Sequence, residues 1–543
     1  MPKNFTLTEK WLGNPGSRVA SADIGVALGR GLRHLLEHFK LCRYKLEGFF
    51  NVPVGSRILE SALMLHLLRR TGGDLAWQRQ LQDYLCVKLH EADPVSAMAA
   101  KAVLKLPSGI EPSAAVAAIA KSAEYGLQRK RALLTMLLVE LGVIPFADAR
   151  ILPQEYTVGA AHRFSRLYAA ALRVMHCRYQ PLDIANDLEF LTGAQSANGS
   201  WEQQVLITLV VLLAVGAAHP AFERGFCYLQ SVRRNDGGMP FIDNQDIWVS
   251  CVAGLALQAA DCGAQPEIHD QLAQFIVNRQ HENGGWSFTD GVTQTDTDVT
   301  ANCVQMLCQH NGARYAVNIQ RALHYLARLQ RPDGGYPTYE REGESEATMT
   351  ANVLLAQNLA ATHDPDLSAK MLQAARYLAN RQRPDGSFEM SWSRSEAYSI
   401  FRVLWALDVY PRTQLALSQS GLFNRSFNRL IQTQRPDGGW GQSPGLASDA
   451  LSTAYAVGAL CLLSRQHLME PHTISRAVAF LLSQQDPETG AFYSVPDVAG
   501  PRPIPFNTPL LSTIWCLLAL SFVESRTSLF EGKPTHGLNA GSV

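Results

Sequence analysis

Gln330-Arg331-Pro332-Asp333-Gly334-Gly335-Tyr336 is one of a set of related phrases on which the reading of this 543-residue chain turns. It stands with Gln280-His281-Glu282-Asn283-Gly284-Gly285-Trp286, Gln382-Arg383-Pro384-Asp385-Gly386-Ser387-Phe388 and Gln434-Arg435-Pro436-Asp437-Gly438-Gly439-Trp440. Looser copies lie at 195–201, 235–239 and 485–492. Recurrence at roughly 50 residues marks a repeat architecture. Pro-Asp-Gly-Gly suits a tight reversal, because Pro fixes one backbone angle, Asp bonds nearby amides and Gly accepts a positive φ. The closing aromatic is expected to pack back over the turn, and the Gln to cap free backbone groups at the end of an outer helix.

Apolar residues at helical spacing flank each phrase, as with Ala322, Leu323, Tyr325, Leu326 and Leu329 before Gln330, and Ala351, Val353, Leu354, Leu355 and Leu359 after it. The unit is helix, turn, helix. The fold class expected is all-α, with two α/α-barrel (toroid) domains. Residues 216–530 accommodate six hairpins, enough to close an α6–α6 barrel with inner helices around a central axis. Residues 46–215, with one clear phrase ending at Trp201, read as a smaller helical domain of related build. Residues 1–45 are expected to supply a first helix that packs on the barrel, and 531–543 a tail; the stretch before about residue 20 and the tail are expected to be poorly ordered.

Composition narrows the function classes. Hydrophobic residues make up 47% of the chain, yet no uninterrupted apolar run reaches membrane-spanning length. Lys plus Arg and Asp plus Glu both number 48, so nothing suggests a nucleic-acid partner, which calls for a basic surplus or stripe. The ten Cys show no CxxC or Cys/His ligand spacing and no signal peptide precedes the first helix, which predicts a reducing, cytoplasmic setting. Cys227, Cys251, Cys303, Cys308 and Cys461 lie in apolar helical contexts and are expected to be core thiols.

The chemistry-bearing stretch is Thr295-Asp296-Thr297-Asp298-Val299-Thr300-Ala301-Asn302, at the start of the inner helix of the second hairpin. The N-terminus of an inner helix faces one mouth of the barrel, so both carboxyls would be turned toward whatever the barrel encloses. The plainer alternative is that one of them merely caps the helix, a role worth roughly 1 kcal/mol.

Together, the recurring phrase and this Asp pair resemble the squalene-hopene cyclase family and, more widely, the class II terpene cyclases. The family's Asp-x-Asp-Asp-Thr-Ala motif stands here as Asp296-Thr297-Asp298-Val299-Thr300-Ala301, so the resemblance makes Asp298 the general acid and Asp296 its partner, with Val299 in place of the third Asp. It extends to Glu47-Gly48-Phe49-Phe50 and to His219-Pro220-Ala221-Phe222. It further implies Trp248, Phe288 and Trp392 as lining residues that stabilise cations, Tyr398 as the aromatic partner of Trp392 and the route of reprotonation, and Asn352 as the residue touching the acid. Asn at that place looks like the class II diterpene cyclases.

These residue types suit the reaction. Protonating an alkene requires an acid kept protonated at rest and readily ionised in the transition state. Asp296 beside Asp298 serves the first need, since two adjacent carboxyls do not readily ionise together. An Asn352 amide donating to the acid serves the second. Each aromatic face along the cavity contributes roughly 0.5–2 kcal/mol to a cation held against it. The reading is a class II, protonation-initiated terpene cyclase acting on a small-molecule isoprenoid, a linear polyprenyl chain of C15–C20. No Tyr-Asp-Thr-Ala phrase like that of diphosphate-using bacterial relatives is present, which favours an aromatic or other non-diphosphate head of meroterpenoid type. The alternatives are a copalyl-type synthase acting on geranylgeranyl diphosphate and a squalene-type triterpene cyclase. No cofactor is expected, Mg2+ entering only with a diphosphate substrate. Arg57, Arg341 and Arg394 are candidate anion contacts. The resemblance also implies peripheral contact with a membrane. Protein prenyltransferase β-subunits share such barrels but bind zinc through an Asp, a Cys two residues later and a His; Asp298 and Cys303, five apart, do not reproduce that set. A helical toroid used only for binding, with the Asp pair as caps, is the reading outside enzymology.

Overall fold

The amide of Gln330 shows what the repeated phrase builds. Its Nε2 donates to the carbonyl of Gly334, closing the turn, and to the carbonyl of Lys370, in the next outer helix. Gln280, Gln382 and Gln434 do the same, reaching Asn318, Leu422 and Thr473. The Gln therefore ties each outer helix to its neighbour, where capping of its own helix end was expected from sequence. The aromatics pack as expected: the indole N–H groups of Trp286 and Trp440 donate back to Ile276 and Leu430 in the preceding outer helix.

The computed structural model describes residues 21–531, except for 43–45, 108, 110, 123–126, 152, 157–160, 261–265, 342, 361–364, 411–418 and 465–470. The segments before residue 21 and after 531, expected to be poorly ordered, lie outside it. Six inner helices, α1 (Asp246–Ala259), α2 (Thr297–Asn311), α3 (Ala347–Leu359), α4 (Glu396–Val409), α5 (Ala450–Ser464) and α6 (Leu511–Glu531), each pack on the next, and α6 returns to α1. The ring is closed. Its inner helices are buried nearly all round, because outer helices cover one side and the enclosed core the other. The outer helices Pro266–Val277, Ala316–Leu329, Pro365–Arg381, Gln419–Thr433 and Pro471–Ser483 pack on α1 to α5 in order. Against α6 the outer place is taken by Ser21–Glu37, from the other end of the chain, and the Gln485 amide reaches its Ala27 carbonyl as in the other repeats.

A smaller ring is formed by Ile58–Thr71, Pro94–Leu104, Leu127–Glu140, Arg163–His176 and Val205–Val215. The helix Phe222–Ser231, expected from sequence to lie in the barrel, packs outside Val205–Val215, with the Phe226 ring 6.1 Å from that of Trp77. The barrel's first hairpin accordingly begins at Asp246. Against the barrel helices Asp246–Ala259 and Pro266–Val277 lies a short ribbon, Phe39–Cys42 paired with Glu47–Phe50, in which the Phe39 ring occupies the space a side chain at position 48 would need. Cys251, Cys303 and Cys461 are buried as expected, whereas Cys308 is partly covered and Cys227 is exposed on the outer face of its helix. No described helix is long and apolar enough to cross a membrane.

Candidate active site

The repeat itself separates the two aspartates. Asp296 is the N-cap of α2, its Oδ1 accepting from the Val299 amide at 2.8 Å. Its backbone pairs with Trp286 as Glu346 pairs with Tyr336 and Asp449 with Trp440, and Asp449 likewise accepts from the Ser452 amide at the start of α5. An acidic residue here caps the helix in two of the three hairpins, since the Glu346 carboxylate turns instead to Thr338, Ser391 and Arg502. Two residues further on, where α2 carries Asp298, α3 has Thr348 and α5 has Leu451. The Asp298 carboxyl belongs to one hairpin alone and caps nothing.

What surrounds Asp298 is a fan of donors. Its Oδ1 accepts from Asn352 Nδ2 on α3 at 2.6 Å and from Asn302 Nδ2, one turn along α2, at 2.9 Å. The Trp248 indole N–H on α1 lies near enough to favour the ionised acid without a formed hydrogen bond. Behind the amides, Arg402 on α4 donates through Nε to Asn352 Oδ1 at 2.6 Å and through Nη2 to Asn302 Oδ1 at 3.3 Å. Burial is the first influence on Asp298 and leaves its pKa above the usual carboxylate value, with the Arg402 charge and the amide donors pulling the other way. Asp296 is held higher still, by burial and then by the charge of Asp298. Both carboxyls are thus held above the ordinary range with burial as the largest cause.

Asp298 opens on a cavity of about 470 Å³ between the two rings. Trp248, Phe288, Trp392 and Tyr398 all line it, as do Asp296 and Val299, while Asn352 stands behind the acid. Trp392 and Tyr398, expected as a pair, belong to different clusters. The Tyr398 ring meets Tyr455 at 4.9 Å and Trp515 at 5.9 Å, a cluster from α4, α5 and α6 in which Tyr398 lies close enough to Asp298 and Asn352 for both to act on its phenol. Trp392 instead meets Tyr339 at 6.1 Å, donates to Thr338 Oγ1 at 2.8 Å and has the Arg502 guanidinium 4.7 Å from its ring centre. One of its faces already holds a cation. Phe288 faces Phe164 of the smaller ring at 6.5 Å.

Several lining residues were not read from the sequence. Phe164 and Tyr168 come from the smaller ring, and so do Arg129 and Lys130; Arg502 comes from the loop before α6. The Lys130 Nζ is buried without a hydrogen-bond partner, and burial, then the Arg502 charge, pushes its pKa down to about 7. Arg502 donates to Glu346 Oε2 at 2.7 Å and to Ser391 Oγ at 3.1 Å. None of Arg57, Arg341 and Arg394 reaches the cavity: Arg57 is locked against Glu60, and the other two are exposed. Among the described residues no group of three or more His, Cys, Asp or Glu side chains could hold a metal ion.

Comparison with known proteins adds to this geometry. The family profile of the squalene-hopene cyclase C-terminal domain matches residues 342–495, and that of the prenyltransferase alpha-alpha toroid domain matches residues 227–396. A drimenyl diphosphate synthase of Streptomyces showdoensis is 33% identical over 500 residues, spanning 88% of this chain and 91% of that protein. Another, from Streptantibioticus cattleyicolor, is 34% identical over 508 residues, 89% of this chain and 92% of its own length. Among solved structures, the ent-copalyl diphosphate synthase from Streptomyces platensis superposes with a TM-score of 0.59 at 19% identity, covering 92% of this chain and 99% of that one. That last likeness bears on the fold.

Proposed function

The chain belongs to the squalene-hopene cyclase-like class II terpene cyclases, enzymes of protonation-initiated cyclisation, and from that premise we propose that it closes farnesyl diphosphate, a linear C15 prenyl diphosphate, into a bicyclic drimane-type diphosphate. The observation that carries the diphosphate head is the cationic group of Lys130, Arg129 and Arg502 on the cavity that also holds Asp298. An ammonium with no hydrogen-bond partner, beside two guanidinium groups and with the Glu346 carboxylate acting against them, is costly unless a further anion completes it. The C15 length and the drimane skeleton take their support from the two relatives that are a third identical over nine-tenths of their length. This departs from the non-diphosphate head expected from sequence, where the cations were hidden because they come from stretches far apart in the chain.

In this reading the diphosphate lies against Lys130 and Arg502 and the terminal alkene against Asp298. The Asp298 proton passes to the alkene carbon that leaves a tertiary cation, and the chain's own double bonds close the rings. Trp248 and Phe288 face the developing charge, and the final cation loses a proton. Tyr398, whose burial keeps it a neutral phenol, relays a proton back to Asp298. Any Mg2+ enters as a counter-ion of the diphosphate, and Glu155, Glu344 and Glu346 stand on the cavity wall beside the three cations.

The test is to incubate the protein, and its Asp298→Asn variant, with farnesyl diphosphate, geranylgeranyl diphosphate and a geranylgeranylated hydroxybenzoate, and to analyse products by mass spectrometry after phosphatase treatment. A bicyclic C15 alcohol from farnesyl diphosphate, absent with the variant, is the expected result. Turnover of the hydroxybenzoate with farnesyl diphosphate left intact would defeat the diphosphate reading.

A further inference from the structure

Arg402 is the charged residue in a buried run from Ala397 to Leu407 of α4 and is 1% exposed. A guanidinium so placed ordinarily faces a carboxylate. Its hydrogen bonds go instead to three neutral amide oxygens: Asn352 Oδ1, Asn302 Oδ1 and, at 3.4 Å, Gln305 Oε1. Nη1 has no partner, and the plane lies 5.3 Å from the Trp405 ring and 5.9 Å from that of Trp515. Among the described residues, this fixed positive charge in the core has no ion-pair partner in hydrogen-bonding reach.

Guanidinium can only donate. Asn352 and Asn302 must therefore turn their oxygens toward Arg402, and each can then offer only its NH2 to the far side. Both NH2 groups meet the same oxygen, Asp298 Oδ1. An oxygen that accepts two such bonds is a poor place for a proton, so the proton sits on Oδ2. Resting on the class II reading above, we propose that Arg402 is a positioning residue for the acid: acting through Asn352 and Asn302, it fixes which oxygen of Asp298 carries the transferable proton, and its charge is the counterpart that the carboxylate acquires once that proton has left. In the resting enzyme the cation faces a neutral acid, and after transfer it faces an anion. The interaction is thus stronger after transfer than before, which is what lowers a barrier. The other groups acting on Asp298 are Asp296 and Asn302 on α2, the Trp248 indole on α1, Asn352 on α3 and the Tyr398 phenol on α4, with the Cys303 thiol nearby; Arg402 is the cation among those that act on it.

Two measurements on Arg402→Gln and Arg402→Lys test this. The first needs no substrate: the protonated-carboxyl infrared band is titrated in each protein and in its Asp298→Asn counterpart, so that the difference reads Asp298 alone. Removing the charge in Arg402→Gln should move the Asp298 midpoint up by a unit or more, and Arg402→Lys, which keeps it, should restore most of that shift. The second is turnover of farnesyl diphosphate. In Arg402→Gln, kcat should fall about a hundredfold with KM within threefold, while the alkaline limb of kcat moves to higher pH; in Arg402→Lys the limb should return with kcat only partly recovered, because a point charge cannot orient both amides. An Asp298 midpoint that stays put in Arg402→Gln overturns the proposal, as does a kcat loss with an unmoved limb. If Arg402→Gln does not fold, Arg402→Lys decides: kcat equal to wild type there defeats the orienting role. Unchanged turnover in Asp298→Asn would instead defeat the general-acid reading, and absence of turnover in every protein would defeat the substrate, with the infrared midpoints still deciding Arg402.

Discussion

Asp296 and Asp298 differ in what their removal should do, although they are two residues apart. Asp296 is a cap shared in kind with Asp449, so Asp296→Ala should cost stability of about 1–2 kcal/mol, read as a lower urea midpoint, along with activity lost from the acid's surroundings. Asp298 caps nothing and is an acid buried at some cost, so Asp298→Asn should leave the urea midpoint unchanged or raise it while turnover falls by at least a thousandfold. Equal losses of stability in both variants would mean that the pair is structural. The motif made these two residues legible, and the family pattern made Asn352 so. Asn302 and Arg402 were not read, yet Arg402 left a signal: one charge inside an otherwise uncharged run of helix, a place where charge is kept only for a partner. The missing knowledge was which helices face one another across the barrel, and that depends on ring closure.

At the scale of the element, the turn phrase was legible because its chemistry is local, and the reach of its Gln was not because its second acceptor lies in another hairpin. Gly334 has φ +89°, and a Cβ there would stand 2.6 Å from the Gln373 carbonyl oxygen. Both the backbone angle and the close approach require Gly. Gly334→Ala should therefore destabilise by roughly 2 kcal/mol or more. Gln330→Ala, which removes two side-chain bonds to carbonyls without strain, should cost about 1–2 kcal/mol. Chemical denaturation of the two variants checks the order, and a larger loss for Gln330→Ala would mean that the cross-hairpin tie outweighs the turn. The same reasoning explains why Ser21–Glu37 could be expected to pack on the barrel but not shown to complete its outer layer: the bond from Gln485 to Ala27 joins the last repeat to the start of the chain.

For the whole molecule, the cavity lies between the two rings, and its cations come from both: Arg129 and Lys130 from the smaller ring, Arg502 from the loop that leads into α6. Sequence could not bring them together, because nothing in either stretch refers to the other. Their convergence has a measurable consequence. The Lys130 pKa of about 7 in the folded chain lies below its ordinary value of about 10.4, so its charge weighs against folding below pH 7, and that cost disappears as pH rises from 7 toward 10. An anion bound at Lys130 offsets the cost only while the ammonium is charged. Inorganic pyrophosphate, used as the probe, should raise Tm clearly at pH 6 and much less at pH 9, although pyrophosphate itself gains negative charge over that range. In Lys130→Met the Tm without ligand should rise at pH 6 and the ligand-induced shift should largely vanish. With farnesyl diphosphate the same variant should raise KM about ten- to a hundredfold, the worth of one charge-assisted hydrogen bond, with little change in kcat, because the ammonium contributes to binding and not to the proton transfer at Asp298. A pyrophosphate shift that is equal at both pH values and equal in Lys130→Met would mean that the anion binds elsewhere, and the buried ammonium would then need another partner.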